Sequence, residues 1–520
     1  MHKKSWRNED VHKAFDELIK LSEQSIAFQN FRYKDLKGNV LRERVIQRIV
    51  QLTFYPYCIK CTKRFKNGQY PLPTDDKSLL LDGIIIHCKD GKLSVTKRMR
   101  LRLLGDYLLE WVKILAYVFK GFFGRKDPKA NPSIWVFGLN RAGVIAGGDV
   151  SAFELFCKEG PASALLRNGN LIVQEGTKGK SGLSFLSFAK NPVHYHIYKS
   201  RIGIGKRIVL LLNCFFNPFL FLLSTARNPL LLVLAKDYIQ YPLVRLLDEQ
   251  NLIGAIVITN SNFFQQPLWM RGPEQRHFRV HELHYSQNTI PFLYKSNPTS
   301  VAFPAFRHVR VDEHWVWTEG YKTVIRESGH QGPIHVVGPI VWYLPEKIIE
   351  KKFNTFQIAV FDVTPIYQSV ADKMGVIHYY YTTDKLIEFV ETVIEICESL
   401  AAFSGVACKI LLKSKRHFTE GLHDKLYIDY LDTVSEKHPS VEILDPRVNI
   451  FSLLNSCDFS VSMPYTSVPY VAAYLKKNAA YYDPRGELIF TNEPSPFLTT
   501  ASSKEELKKI IAASLKIQLN

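Results

Sequence analysis

Cysteine is scarce, with eight in 520 residues. Cys58 and Cys61 form one CxxC, and neither a second pair nor a neighbouring His completes a zinc site around it. The others stand alone, mostly in apolar runs, and read as structural thiols of a reducing compartment. No secretory leader is legible in Met1-His2-Lys3-Lys4-Ser5-Trp6, so a cytoplasmic location is expected. No GxGxxG follows a strand, and Gly138-Leu139-Asn140-Arg141-Ala142-Gly143 departs from that fingerprint, which argues against a dinucleotide-dependent dehydrogenase. There is no internal repeat and no long low-complexity tract. Acidic residues are in deficit, 49 against 67 Lys and Arg, for a net charge of +18. Such a field attracts polyanions. The positive residues are spread along the chain, and zinc-finger pairs, RNP-like aromatic runs and basic recognition helices are all missing, so nucleic acid is not an expected partner.

What is present is ordinary globular material. Hydrophobic residues make up 46% and charged residues 22%, with 33 Phe and 25 Tyr to fill cores or an apolar surface. The length suits about two or three domains. Residues 1–130 read as a helical, basic N-terminal region. Within it, Leu101, Leu104, Leu108, Trp111, Leu115 and Val118 recur at helical steps, ringed by Arg98, Arg100, Arg102, Lys113, Lys120, Arg125 and Lys126. Such a helix lies in a membrane interface or packs on the next domain. Residues 36–54 form a second mixed basic and apolar run.

From residue 131 the pattern turns to short apolar strands between helices, the mark of a parallel, doubly wound sheet. Strands are expected at 134–138, 170–174, 193–198, 253–260, 278–284, 314–317 and 334–338. The stretch 208–235 is an almost wholly apolar insertion, interrupted by Asn213, Asn217, Pro218 and Asn228. A spanning helix needs about 20 predominantly apolar residues, and with Pro218 at its centre this segment is expected to form a monotopic hairpin or a buried helix pair. The linker falls at 341–354. A second α/β domain occupies 355–500, and residues 501–520 form a C-terminal helix.

The polar clusters of the second domain follow its strands, where open α/β sheets bind ligands. Lys413-Ser414-Lys415-Arg416-His417 places cations directly after a buried strand, a phosphate-binding arrangement. Tyr465, Thr466 and Ser467 follow another strand and open a helix, where N-cap hydroxyls, free N–H groups and the helix dipole suit an anion. Asp362 and Thr364 end the first strand of this domain, and Asp362 binds a substrate hydroxyl or caps the segment that follows. Tyr482 and Asp483 enter an Asp-Pro turn, which is either plain turn chemistry or part of the ligand site. In the first domain, Glu282 and then Asp312 are the candidate bases for an acceptor proton. His281 and His284 flank Glu282, but strand alternation is expected to turn Glu282 to the face opposite both, so no metal is expected.

At these motifs the chain resembles the polysaccharide biosynthesis proteins named for a Pro-Phe-Thr-Ser motif, which stands here as Pro464-Tyr465-Thr466-Ser467. Lys413-Ser414-Lys415-Arg416, Phe361-Asp362-Val363-Thr364-Pro365, Tyr285-Ser286-Gln287-Asn288, Trp317-Thr318-Glu319, Val337-Gly338-Pro339 and Tyr481-Tyr482-Asp483-Pro484 also look like that family, over roughly residues 132–490. The resemblance implies two Rossmann-like domains facing a cleft, the GT-B arrangement, and a glycosyltransferase of surface-polysaccharide biosynthesis. It implies a nucleotide-sugar donor on the second domain, CMP-, UDP- or GDP-linked, and a glycan or lipid-linked acceptor on the first. It also implies catalysis without a metal or resident cofactor. An anionic membrane surface is a further expected partner. A nucleotide-sugar epimerase of the same fold and a non-catalytic, membrane-associated assembly factor are the alternatives.

Overall fold

The computed structural model describes residues 44, 45, 48, 79–81, 84–87, 92–124, 132–138, 157–158, 163–166, 169–174, 186–189, 191–199, 202–227, 229–259, 266–271, 276–286, 293–296, 309–339, 355–367, 380–420, 422–490 and 495–517. The CxxC, the linker at 341–354 and nearly all of 36–54 lie outside the described residues. The N-terminal region is not purely helical. Strands β1 (Leu79–Leu81), β2 (Ile84–His87) and β3 (Lys92–Val95) form an antiparallel sheet before helix α1 (Lys97–Phe123). Thr96 caps α1, its hydroxyl accepting from Met99 N at 3.3 Å. Met99, Leu103, Tyr107, Ile114 and Val118 form its buried stripe and join the same core as Trp135 and Ile256 of the first large sheet.

That sheet uses β4 (Ser133–Phe137), β5 (Asn170–Gln174), β6 (Leu186–Ala189), β7 (Ile253–Thr259), β8 (Arg279–Leu283), β10 (Glu313–Val316) and β11 (Ile334–Val336). Helices α2 (Ser163–Leu166), α3 (Pro192–Lys199), α4 (Ile204–Arg227) and α5 (Ala235–Glu249) precede β7, and α6 (Glu319–Glu327) joins β10 to β11. The strand order is β6-β5-β4-β7-β8-β10-β11, parallel throughout. The short β9 (Leu293–Tyr294) lies outside it.

The second sheet contains β12 (Thr355–Phe361), β13 (Ala407–Lys413), β14 (Val441–Leu444), β15 (Phe459–Ser462), β16 (Ala479–Tyr482) and β18 (Leu498–Ala501). Its helices are α7 (Thr383–Ser404), α8 (Lys425–Lys437), α9 (Ile450–Ser456), α10 (Val468–Tyr474) and α11 (Lys504–Ser514). The order β14-β13-β12-β15-β16-β18 is again wholly parallel. Counted from its own first strand, each sheet runs 3-2-1-4-5-6, the doubly wound Rossmann order, with one extra edge strand on the first. The expected pair of Rossmann-like domains is therefore present in the topology. Among the described residues they touch in several places, and they share one apolar cluster that takes in Leu283 and Trp317 from the first and Phe361 and Tyr470 from the second. Strand β17 (Leu488–Ile489) pairs antiparallel with β9. Gly338, at φ +79°, lies against Tyr474, where a Cβ would come within 2.8 Å of the Tyr474 ring.

Two sequence expectations fail here for identifiable reasons. Residues 193–198 form helix α3, not a strand. Asn191 caps it, its Oδ1 accepting from Val193 N at 2.9 Å, and Pro192 sits at the first helical position. That start signal outweighs the strand-like Val-His-Tyr-His-Ile-Tyr run. The apolar insertion does not break at Pro218 either, because α4 runs straight through it. A proline inside a helix strips the carbonyl four residues back of its donor. Here that carbonyl belongs to Cys214, and it accepts instead from Trp111 Nε1 of α1 at 2.7 Å. The Trp111→Phe variant should lose about 1–3 kcal/mol, the cost of orphaning a buried carbonyl. Urea unfolding measures this, and an unchanged midpoint would show that Cys214 does not depend on Trp111.

Candidate functional site

A doubly wound sheet takes its ligand in the crevice outside the carboxyl ends of the strands, where the strand order reverses. In the second sheet that reversal lies between β12 and β15, whose last residues, Phe361 and Ser462, are register partners. Phe361 also pairs with Lys413, the last residue of β13. The topology thus brings three segments to one crevice: Asp362–Thr364, the basic 413–417 loop and the 463–467 turn.

The first two segments are fastened to each other. The buried Asp362 carboxylate accepts from Ser414 Oγ at 2.8 Å, Lys415 N at 2.9 Å and Tyr427 Oη at 2.8 Å. Burial pushes its pKa up, against the pull of those hydrogen bonds and of Lys413. Thr364 Oγ1 accepts from Arg416 N at 3.1 Å and donates to Arg416 O at 3.2 Å. Asp362 and Thr364 are therefore positioning residues that set the backbone of the basic loop. Lys413 is also structural, since its buried ammonium donates to Pro446 O at 2.7 Å and burial lowers its pKa. His417 stands 3.7 Å from Asp445. Lys415 and Arg416 differ from both. They are exposed, and among the described residues their side chains have no hydrogen-bond or salt-bridge partner. The Lys415 ammonium is lowered to about 8, by crowding from the surrounding protein first and by Arg416 second. The side chain as a whole is open to solvent, which limits the crowding, so Lys415 is a cation at neutral pH.

The 463–467 turn is held by tyrosines. Tyr465 adopts φ +59°, a left-handed backbone that costs a residue with a side chain about 1–3 kcal/mol. Tyr381 Oη donates to Pro464 O at 2.8 Å, and Tyr481 Oη donates to Thr466 O. Tyr465 Oη reaches Ile489 O at 2.9 Å, which gives the hydroxyl that distinguishes it from Phe a bond of its own. Thr466 does not cap a helix, because its hydroxyl donates to Met463 O at 3.0 Å. Ser467 occupies the N-cap of α10 without a side-chain capping bond. With seven residues α10 is short, which weakens the dipole argument made from the sequence.

The remaining candidates do not reach this crevice. Tyr482 packs its ring on Phe389 in the core, and the buried Asp483 accepts from Tyr380 Oη at 2.7 Å and Leu488 N at 2.8 Å, so both are structural. Asp312 precedes β10, at the amino end of its sheet, and is clamped by Arg276 at 2.6 and 3.0 Å and by Val280 N at 2.7 Å. Glu282 is wholly buried, and the expected alternation does not separate it from His284, because residues two apart on a strand share a face. His284 Nε2 lies 3.7 Å from Glu282 Oε2, and His314, the register partner of Glu282 on β10, brings its Nδ1 to 3.3 Å. Burial, and then His314, holds the pKa of His284 well below its ordinary value. No local pattern announces Tyr427, Tyr381, Tyr481 or His314 as partners, since each meets its target across many intervening residues.

The family model of polysaccharide biosynthesis PFTS motif proteins matches residues 211–511 of this chain. No curated protein matches it in sequence. Among solved structures, it is similar to the Methanocaldococcus jannaschii UDP-GlcNAc 2-epimerase, at 13% identity and a TM-score of 0.39, covering 75% of this chain and 94% of the epimerase. It is similar to the wall teichoic acid polymerase TagF at 10% identity and 0.39, covering 81% and 90%. It is also similar to sucrose-phosphate synthase from Thermosynechococcus elongatus at 10% and 0.39, covering 74% and 90%. These likenesses are too distant to bear on function, and the fold rests on the strand order of this chain.

Proposed function

This chain belongs to the polysaccharide biosynthesis PFTS motif proteins, and from that premise we propose that it is a glycosyltransferase of surface-polysaccharide assembly, passing a sugar from a nucleotide-sugar to a glycan or lipid-linked acceptor. The observation that supports this reading most is the pair Lys415 and Arg416. Among the described residues these two cations have no side-chain partners, and they stand at the carboxyl end of a Rossmann-ordered sheet, on a loop whose backbone is fastened by Asp362 and Thr364. As the glycosidic bond breaks, negative charge grows on the nucleotide's phosphate. Cations already fixed beside it need no reorganisation to stabilise that charge. The sugar carbon becomes oxocarbenium-like, as in glycoside hydrolysis. The acceptor proton goes to a group other than Glu282 or Asp312, since one is sealed in the sheet and the other is at its far end.

Nucleotide titration tests the reading, with CMP, UDP, GDP and TDP each added to the full chain. Lys415→Ala should weaken binding of the preferred nucleotide about 10- to 100-fold, the loss of one charge-assisted hydrogen bond of about 1.5–3 kcal/mol. Binding by wild type should also weaken as pH rises through about 8, because only the protonated ammonium assists the phosphate. Below that pH the Lys415 contribution is fully present. Equal affinity of Lys415→Ala and wild type for every nucleotide would overturn the assignment.

The same reading places the enzyme on a membrane surface. Ile204–Leu223 of α4 is long and apolar enough to cross a membrane, with mean hydropathy 1.6. A crossing would set α3 and α5 on opposite sides of the bilayer, yet they pack on each other and both pack on α1. Instead α4 lies along α1, and both helices leave large apolar side chains exposed: Ile208, Leu212, Phe216 and Leu220 on α4, Leu108 and Phe119 on α1. Exposed Lys97, Arg98, Arg100, Arg102, Lys113 and Lys206 accompany them. Exposed apolar side chains with basic neighbours fit the headgroup boundary of an anionic leaflet.

A further inference from the structure

The first sheet contains a second constellation that the transfer reaction does not use. Glu282 on β8, His284 just beyond it and His314 on β10 are all fully or almost fully buried. Their nearest donor atoms form a triangle. His284 Nε2 and His314 Nδ1 are 3.2 Å apart, His314 Nδ1 and Glu282 Oε2 are 3.3 Å apart, and His284 Nε2 and Glu282 Oε2 are 3.7 Å apart. A tetrahedral ion with bonds of about 2.0–2.1 Å sets its ligand atoms about 3.3–3.4 Å from one another, so the triangle matches one face of such a tetrahedron.

Hydrogen bonding among the three does not account for the arrangement. A bond between the two imidazoles uses one proton and one lone pair. It leaves both oxygens of the buried Glu282 carboxylate without a hydrogen-bond partner. Desolvating an ionised carboxylate without compensation is among the costliest things a fold can do. Among the described residues no Lys or Arg reaches it. A divalent cation at the centre of the triangle satisfies the carboxylate and both ring nitrogens together. The outer partner is also in place: Tyr321 of α6 lies 3.0 Å from His284 Nδ1, so that nitrogen is hydrogen-bonded while Nε2 faces the triangle.

We propose that Glu282, His284 and His314 hold a transition-metal ion, best suited to Zn2+, which ties β8 to β10 and, through Tyr321, to the helix that covers them. Two nitrogens and one carboxylate oxygen in a tetrahedral setting fit zinc. A water or a further side chain completes the fourth position. The site is structural, on the helix-covered face of the first sheet, and the proposal holds whether or not the chain transfers sugar.

The experiment uses the untagged full chain from zinc-supplemented growth. Elemental analysis should find about one zinc per chain, bound through dialysis. Protein stripped with a chelator, still folded by circular dichroism, should develop the visible ligand-field absorption of tetrahedral Co2+ when Co2+ alone is added. Tyr321→Phe should weaken metal binding about 10- to 100-fold while the fold remains, and Glu282→Gln, an isosteric ligand loss, should weaken it more. A wild-type protein without stoichiometric metal and without a Co2+ spectrum overturns the proposal. So does full zinc retention by Glu282→Gln.

Discussion

Replacing Asp362 by Ala should remove nucleotide binding almost completely and cost about 2–4 kcal/mol of stability. The reason is its position, since this carboxylate touches no crevice-facing cation through its side chain. It gathers three donors, Ser414 Oγ, Lys415 N and Tyr427 Oη, into one buried point. With Ala in its place, each donor is left without its acceptor in a closed interior, at about 1–3 kcal/mol apiece, partly offset because a buried charge is also removed. The loop that presents Lys415 and Arg416 then loses its anchor on the first strand. Affinity should fall by at least about 100-fold, more than for Lys415→Ala, because both cations are mispositioned together. Thr364→Val separates the two effects. It frees Arg416's backbone while leaving the Asp362 bonds intact, so it should weaken nucleotide binding with a smaller loss of stability. Chemical denaturation and nucleotide titration on the same preparations decide the matter. If Asp362→Ala keeps wild-type affinity, the loop is not held as described.

The second large effect concerns the exposed face of α4. Phe216 and Leu220 lie one turn apart, and both are more than half exposed, at 59% and 61%. Burying each in a lipid interface is worth about 1.5–3 kcal/mol. The double variant Phe216→Asp/Leu220→Asp forfeits both terms and adds two like charges opposite an anionic surface. Its partition onto vesicles of mixed neutral and anionic phospholipid should fall by about two to four orders of magnitude. Thermal stability should be unchanged, because neither side chain belongs to the core. Flotation with those vesicles reads the effect. Wild-type protein that stays in the dense fraction, or a double variant that floats as well as wild type, would sink the membrane reading. The basic residues predict a milder response to salt, since screening weakens the attraction to headgroups and leaves the apolar contact intact.

Much of the architecture was legible because strands of a parallel sheet, buried on both faces, spell themselves as apolar runs. Residues 253–260 and 356–363 are of that kind, and both fall on strands. The place of the basic loop was legible for a related reason: it directly follows such a run, which forms β13. What escaped was set by partners distant in sequence. Nothing near Lys413 says that its ammonium will be used by Pro446 O, and nothing near Asp362 says that Tyr427 will reach it. Residues 193–198 misled because their composition favours a strand while the preceding Asn191-Pro192 dictates a helix, and the local start signal prevailed. Glu282 misled differently. Its neighbour on the next strand, His314, is invisible until the register of β8 and β10 is known, and that register makes an apparent base into part of a sealed constellation.

The match to the family begins at residue 211, inside α4. The stretch that the family model covers and the piece that folds are thus different objects. Strand β4, at the centre of the first sheet between β5 and β7, lies wholly before that point, as do β5, β6 and α1. A fragment cut at the match would keep an edge strand's worth of open hydrogen bonds on β7, and would leave the Cys214 carbonyl facing Pro218 without the Trp111 donor that α1 supplies. The matched portion holds the crevice of the second sheet complete, but three of the first sheet's seven strands, β4, β5 and β6, lie outside the match, so the unit that folds is larger than the stretch the family model covers.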